Sequence, residues 1–198
     1  MERRAPAVGA ARRLPCLIAC DPVRIVAGRW RGRIIEAPAD SRVRPTADRV
    51  REAWMSILMP ELPDARVLDL FAGSGALGLE AISRGAASAD FVEIGSKSLA
   101  ALRANISALG AAAAAIVHRA DAMRYVATLG ENAFDIAFAD PPYDAGLGSK
   151  LAERWLSLPF ARVLTIEHRV DEILPGNGER RKYGDTVVTI FRRSSGEA

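Results

Sequence analysis

Two short stretches hold the residues whose types and spacing could do chemistry. The first is Asp69-Leu-Phe-Ala-Gly73-Ser74-Gly75-Ala-Leu-Gly78, with Glu93 following Gly73 by 20 residues. Glycines at such a turn let the main chain bend sharply and come close to a ligand. A carboxylate placed like Glu93, at the end of the next strand, can accept from both hydroxyls of a ribose. Asp69 sits four residues before the first glycine, where an acid can face a cationic amino-acid tail. The glycine spacing together with Glu93 also satisfies the dinucleotide fingerprint, so a nicotinamide coenzyme stays open at this point. A pyrophosphate favours a neutral approach to the helix N-terminus, and Asp69 weighs against it.

The second stretch is Asp140-Pro141-Pro142-Tyr143. Two prolines fix φ and carry no N–H, so their carbonyls stand as rigid acceptors. The exocyclic amine of a base offers two N–H donors. Asp140 and the Pro141 carbonyl can take both and hold the nitrogen in line for attack, while Tyr143 offers a flat face to the ring. Without its context the same run is only a proline-rich turn ending a strand. Asp121, in Ala120-Asp121-Ala122, can accept from an adenine amino group or cap a helix, and the two roles are compatible.

These residues need a scaffold. From Arg66 onward the chain alternates strand-like and helix-like segments. Strands are expected over Val67–Phe71, Ala89–Ile94, Ala114–His118, Phe134–Ala139 and Val163–Glu167. Helices are expected over Gly75–Arg84, Ser96–Leu109, Asp121–Leu129 and about Gly146–Leu156. This alternation predicts an α/β fold, a parallel sheet with helices on both faces. The end differs: Arg180–Tyr183 and Thr186–Phe191 flank Gly184-Asp185, which reads as an antiparallel hairpin. Ahead of the sheet, Val23–Ala27 and Arg33–Ala37 read as a small hairpin around Gly28 and Gly32. Thr46 then caps a helix over Ala47–Leu58, with Val50, Trp54, Ile57 and Leu58 on one side. Pro60 and Pro63 close that segment. Three parts follow: a disordered Ala/Arg-rich arm over residues 1–22, a basic hairpin and helix over 23–60, and a ligand-binding domain over 61–198.

The net charge of +3 is too small to argue for nucleic acid, but it is unevenly spread. Residues 1–60 hold 12 Arg, no Lys and 6 acids, whereas the rest is net −3. Clustered cations are the electrostatic footprint of a polyanion-facing surface. Arg29, Arg31, Arg33, Arg44, Arg49 and Arg51 are the candidates, with Trp30 among them. A solvated side chain or local ion pair is the plainer account of any single one. Cys16 and Cys20 have no partners at zinc-ligand spacing, and a disulfide scaffold does not suit this length. No metal and a reducing cytoplasmic setting are expected. No apolar run approaches the roughly 18 residues that a membrane helix needs.

The run from Asp69 to Ala81, taken with Asp140-Pro-Pro-Tyr143, resembles the class I methyltransferases that act on exocyclic amines of nucleic-acid bases. Arg24-Ile-Val-Ala-Gly-Arg-Trp-Arg-Gly-Arg33 and Arg44-Pro-Thr-Ala-Asp-Arg-Val-Arg-Glu52 are similar to the bacterial 16S rRNA guanine-N2 methyltransferases of the RsmD type. Lys182-Tyr-Gly-Asp-Thr186 is similar to their terminal hairpin. The likeness covers about residues 23 to 193. It implies a Rossmann-like class I methyltransferase fold, a mostly parallel seven-stranded sheet with its last strand antiparallel. It implies S-adenosylmethionine as cofactor, contacted by Asp69, Phe71, Ala72, Gly73, Ser74, Gly75, Glu93, Asp121 and Ala122. It implies Asp140, Pro141, Pro142 and Tyr143 as the catalytic loop, and adds Thr46 and Lys182 to the RNA-facing arginines. The implied partner is 16S rRNA within a small subunit or an assembly intermediate, met by a monomeric cytoplasmic protein. Gly95 departs from the pattern, since such families often have Asp or Asn there, and so do Trp54 and residues 1–22.

Under that resemblance the amine nitrogen of a guanine displaces a sulfonium methyl, and the protein supplies alignment and electrostatics. Three other readings compete. An N6-adenine DNA or RNA methyltransferase would share the double-proline loop, although the DNA enzymes usually carry a target-recognition insertion. A nicotinamide-dependent oxidoreductase would need an acid or base for hydride transfer, and neither His118 nor His168 is obviously placed for it. A non-catalytic RNA-binding assembly factor would use the basic front end without the carboxylates.

Overall fold

The computed structural model describes residues 23–37, 45–143 and 146–193; the arm over 1–22, with its two cysteines, and Arg44 lie outside them. The apolar segments form seven strands: β1 Arg66–Leu70, β2 Ser88–Glu93, β3 Ala115–Arg119, β4 Phe134–Ala139, β5 Ala161–Arg169, β6 Glu179–Tyr183 and β7 Thr186–Arg192. They make one sheet in the order β3-β2-β1-β4-β5-β7-β6. The first five pair in parallel, and β7 runs antiparallel between β5 and β6. A dinucleotide sheet of the 3-2-1-4-5-6 order has no such reversed strand between its fifth and sixth, so the topology is that of the class I methyltransferases. β5 runs longer at both ends than the sequence suggests because it has a hydrogen-bonded neighbour on each side.

Among the described residues five α-helices cover the sheet: α1 Pro45–Ile57, α2 Ala76–Ser83, α3 Ser96–Ala108, α4 Ala122–Ala127 and α5 Leu147–Ser157. Alternation along β1 sends Val67 into the core shared with α1, α2 and α3, and Leu68 and Leu70 into the core shared with α4 and α5. Both faces of the central strands are thereby dry, as parallel strands require. α1 begins at Pro45, ahead of the expected Ala47, because proline is well tolerated in the first helical turn. Its Val50, Trp54, Met55 and Leu58 neighbourhood is buried, and Trp54 meets Phe138 of β4 edge-on at 5.7 Å.

The N-terminal hairpin is less regular than its alternating pattern suggests. One antiparallel bridge joins Arg24 to Ile34, and the tip over Gly28–Trp30 is a 3₁₀ turn. The flanking backbone is claimed by side chains of the main domain. The N–H groups of Val26 and Ala27 donate to Glu80, at 2.7 and 3.0 Å, and that of Glu36 donates to Asn105 Oδ1 at 2.7 Å. Gly28, at φ 81°, rests directly on α2: a Cβ there would lie 1.8 Å from the Ser83 carbonyl oxygen.

Candidate active site

Strand order reverses between β1 and β4, whose following loops part to opposite faces of the sheet. Open α/β sheets bind their ligands in the crevice at such a switch point. Here it holds a cavity of about 1090 Å³. The loops after β1, β2, β3 and β4 wall it, together with α1 and the β6–β7 turn.

The glycine loop forms the floor. Phe71 leaves β1 at φ 62°, a left-handed conformation that costs a phenylalanine on the order of 1 kcal/mol or more and that persists only where its surroundings enforce it. The Gly78 N–H donates to Asp69 Oδ2 at 2.9 Å. A Cβ on Gly78 would lie 2.4 Å from the Phe91 ring and 3.2 Å from the Asp69 carboxylate, so α2 approaches β1 this closely only without a side chain there. Of the cofactor set read from sequence, Asp69, Phe71, Ala72, Gly73, Ser74, Glu93, Asp121 and Ala122 line the cavity. Gly75 does not: it is buried behind the loop, against Leu102 and Phe91.

Glu93 ties two of these loops together. Oε2 accepts from the Gly73 N–H at 2.9 Å, and Oε1 accepts from Ile94 at 2.8 Å and Gly95 at 2.6 Å. A carboxylate has about four acceptor sites, so Oε2 keeps capacity for a ligand hydroxyl. The departure at Gly95 has a local consequence, because a Cβ there would crowd Glu93 Oε1 at 3.1 Å. Ile94, given no role from sequence, is 63% exposed on the cavity wall. A large apolar residue that ends a buried strand and yet faces water was the available signal. Asp121 caps α4, accepting from the Arg124 N–H at 2.9 Å through Oδ1, and its second oxygen is left for other donors.

The catalytic-loop candidates stand on the same cavity: Asp140, Pro141, Pro142 and Tyr143 all line it. So does Glu167 of β5, to which sequence reasoning assigned nothing. The parallel register sets Ala139 beside Ile166, which makes Asp140 and Glu167 neighbours at the carboxyl ends of their strands. The Tyr143 hydroxyl donates to Glu167 Oε1 at 2.8 Å. The acids perturb one another. Burial pushes Asp69 up to about 8, with Asp140 and Glu93 adding repulsion against the Gly78 N–H. Asp140 opens onto the cavity, yet desolvation by the surrounding walls, helped by Glu167, raises it to about 7. Glu167 is raised by burial, offset by its bond from Tyr143. Tyr143 itself is raised to about 12, by burial and then by the adjacent Glu167.

The basic candidates divide. Arg31, Arg49 and Lys182 are exposed. Arg29 is exposed and lies over the Trp30 ring at 4.1 Å, and Arg33 donates to the Ala108 carbonyl at 2.8 Å. Arg51 is instead 8% exposed, because α1 turns it inward to donate to the Arg24 carbonyl at 2.8 Å. The side chain of Thr46, like Arg44, falls outside what is described. Three further polar residues were missed as organisers. Glu80, fully buried, binds Val26, Ala27 and Arg84. Ser83 donates to the Ala27 carbonyl and accepts from the Trp30 N–H. Asn105 bridges Glu36 to the Ser74 carbonyl.

The family described as "Conserved hypothetical protein 95" matches residues 23–192. The chain belongs to this family. Among its relatives, "Ribosomal RNA small subunit methyltransferase D" of Escherichia coli K12 is 45% identical over 125 residues, which is 63% of this chain and 62% of that protein. "Putative rRNA methyltransferase YlbH" of Bacillus subtilis is 39% identical over 182 residues, covering 86% of this chain and 99% of that one. Among solved structures, "Putative methyltransferase yhhF" from Escherichia coli superposes with a TM-score of 0.76 at 35% identity, over 87% of this chain and 98% of that chain. The family's match begins at Val23, so it takes in the arginine-bearing turn as well as the sheet.

Proposed function

We propose that the chain transfers the methyl group of S-adenosylmethionine to the exocyclic N2 amine of a guanine in 16S rRNA. The substrate is the small ribosomal subunit or an assembly intermediate, and a cytoplasmic monomer acts on it. One observation carries the reading: the Asp140–Tyr143 corner faces the same cavity as Glu93 and the glycine loop. The similarity to a small-subunit rRNA methyltransferase and to a second rRNA methyltransferase supports the class of substrate.

The residues present suit this cofactor. Glu93 can take ribose hydroxyls, and Ile94 offers an apolar wall beside it. Burial first, and then neighbouring carboxylates, hold Asp69 and Asp140 above their usual range, an acidic setting that suits a ligand with a permanent positive charge and opposes a pyrophosphate. When bound, S-adenosylmethionine supplies an activated methyl on its sulfonium. The chain's own part is placement. Asp140 and the Pro141 carbonyl accept the two amine N–H groups, which favours a pyramidal nitrogen as positive charge develops there. Asp140 would also be the acceptor for the proton that the nitrogen must shed once it is methylated. Tyr143 faces the base, which must leave its stack to reach this depth.

The test is incubation with labelled S-adenosylmethionine and undermodified small subunits, followed by nucleoside mass spectrometry. N2-methylguanosine is the expected product, and N6-methyladenosine or no product would reject the reading. Asp140→Ala should abolish transfer while sparing RNA binding; near-normal turnover would remove Asp140 from the chemistry.

A further inference from the structure

Guanine is distinctive among the bases that carry an exocyclic amine. Its ring nitrogen beside the amine, N1, bears a hydrogen. The corresponding atoms of adenine and cytosine are bare lone pairs. A guanine edge therefore presents three N–H donors in a row, two on N2 and one on N1. A site that selects it needs three acceptors in a row with no donor among them.

The cavity holds the acceptors that such a row needs. Asp140 and the Pro141 carbonyl sit at the end of β4, and Glu167 is the neighbour of Asp140 on β5 by register. An ionised carboxylate is an acceptor only. The Tyr143 hydroxyl is the hydrogen-bond partner of Glu167 among the described residues, and it engages Oε1. That bond fixes the rotamer and leaves Oε2 as the remaining acceptor. The same pairing holds the aromatic ring that would face the base. Burial raises both groups, and at Asp140 the neighbouring Glu167 adds to the rise.

We propose that Glu167 reads the target base by accepting the N1–H of guanine through Oε2, while Asp140 and the Pro141 carbonyl hold the N2 amine. This rests on the reading of function above, since it requires the base in this cavity. An adenine or a cytosine would turn a lone pair toward the Glu167 carboxylate and be rejected. Glu167 is thus a specificity residue, and Tyr143 positions it.

2-Aminopurine tests this directly, because it keeps the N2 amine and carries a bare lone pair at N1. Subunits reassembled from 16S rRNA with guanine or 2-aminopurine at the nucleotide mapped by product analysis serve as paired substrates. Wild-type protein should prefer guanine by on the order of a hundredfold in kcat/KM, as expected for one hydrogen bond to a charged group exchanged for a repulsion. Glu167→Ala should shrink that preference to within about threefold, with S-adenosylmethionine affinity by calorimetry unchanged. Glu167→Gln guards against a folding defect in the alanine variant. Its amide can donate to the N1 lone pair of 2-aminopurine, so the preference should narrow or reverse. Variants that keep the full preference, or that lose turnover on both bases alike, would overturn the assignment. A wild-type protein that makes no N2-methylguanosine would overturn the functional reading itself, and that result appears before any variant is made.

Discussion

A cation entering an acidic pocket must find the acids ionised, and this makes cofactor discrimination depend on pH. S-adenosylmethionine and S-adenosylhomocysteine share adenine, ribose and amino-acid tail, and differ in the sulfonium charge. The ratio of their affinities cancels the contributions of Glu93 and of Asp69 toward the common tail. It isolates Asp140, the acid proposed to stand nearest the reaction centre. Burial, helped by Glu167, raises its carboxyl to about 7. Below that pH it is protonated, and binding the sulfonium must expel the proton. The ratio should then fall by up to tenfold for each pH unit well below about 7, or about sixteenfold between pH 7 and pH 5.5 if the linkage were complete. Because Asp140 opens to water, screening reduces this, and about tenfold is expected. Above pH 7 the ratio should level off. Calorimetry in two buffers of different ionisation enthalpy gives both affinities and the protons released. Asp140→Asn should flatten the profile. A wild-type ratio constant within twofold across that range, or an unchanged slope in Asp140→Asn, would refute the electrostatic argument.

Three further outcomes follow from the packing. Asp69 would ionise near 3.8 in the unfolded chain but is raised to about 8 by burial. Between those values the unfolded state holds fewer protons, so folding stability falls as pH rises through the window. Asp69→Asn should therefore raise Tm by several degrees at about pH 8 while weakening S-adenosylmethionine binding at least about tenfold. An unchanged melting point would reject the burial argument. Glu80→Ala strips the partners from two backbone N–H groups and from Arg84, and should cost about 2–4 kcal/mol in chemical denaturation. A loss under about 0.5 kcal/mol would mean the N-terminal turn is held by other contacts. Glu93→Ala should weaken cofactor binding at least about tenfold, and unchanged affinity by calorimetry would reject the ribose role.

The parts of this molecule legible in its sequence are those whose cause is local. Glycines punctuating apolar runs announced the strand–turn–helix units, and Asp69 and Glu93 took meaning from their distance to that punctuation. What escaped was set by partners far along the chain. Val23–Ala27 alternates as a strand would, but the N–H groups of Val26 and Ala27 belong to Glu80, more than 50 residues on. Arg51 was visible as a charge, whereas its inward direction depends on which side of α1 meets the sheet. Glu167 read as the last residue of a strand. Only the β4–β5 register, which no local pattern encodes, sets it beside Asp140.

The same long-range bonds bear on how RNA and cofactor could be brought into register. Methyl transfer tolerates little error in the approach of nucleophile to carbon, and a displacement of about 1 Å can cost two orders of magnitude in rate. A surface that grips RNA is useful only if it is rigidly mounted on the loop that holds the donor. The turn bearing Arg29 and Arg31 is fastened to α2 through Glu80 and Ser83, and α2 begins at the glycine loop. Asn105 holds Glu36 and the carbonyl of Ser74 with a single side chain. Val23, Ile25, Trp54 and Leu79 share one core with the central strands. The arginine-bearing segment is therefore not a tethered arm but part of the frame on which the glycine loop is built. Weakening that attachment should misplace the base before it loosens the donor, raising KM for RNA and lowering kcat while S-adenosylmethionine affinity holds.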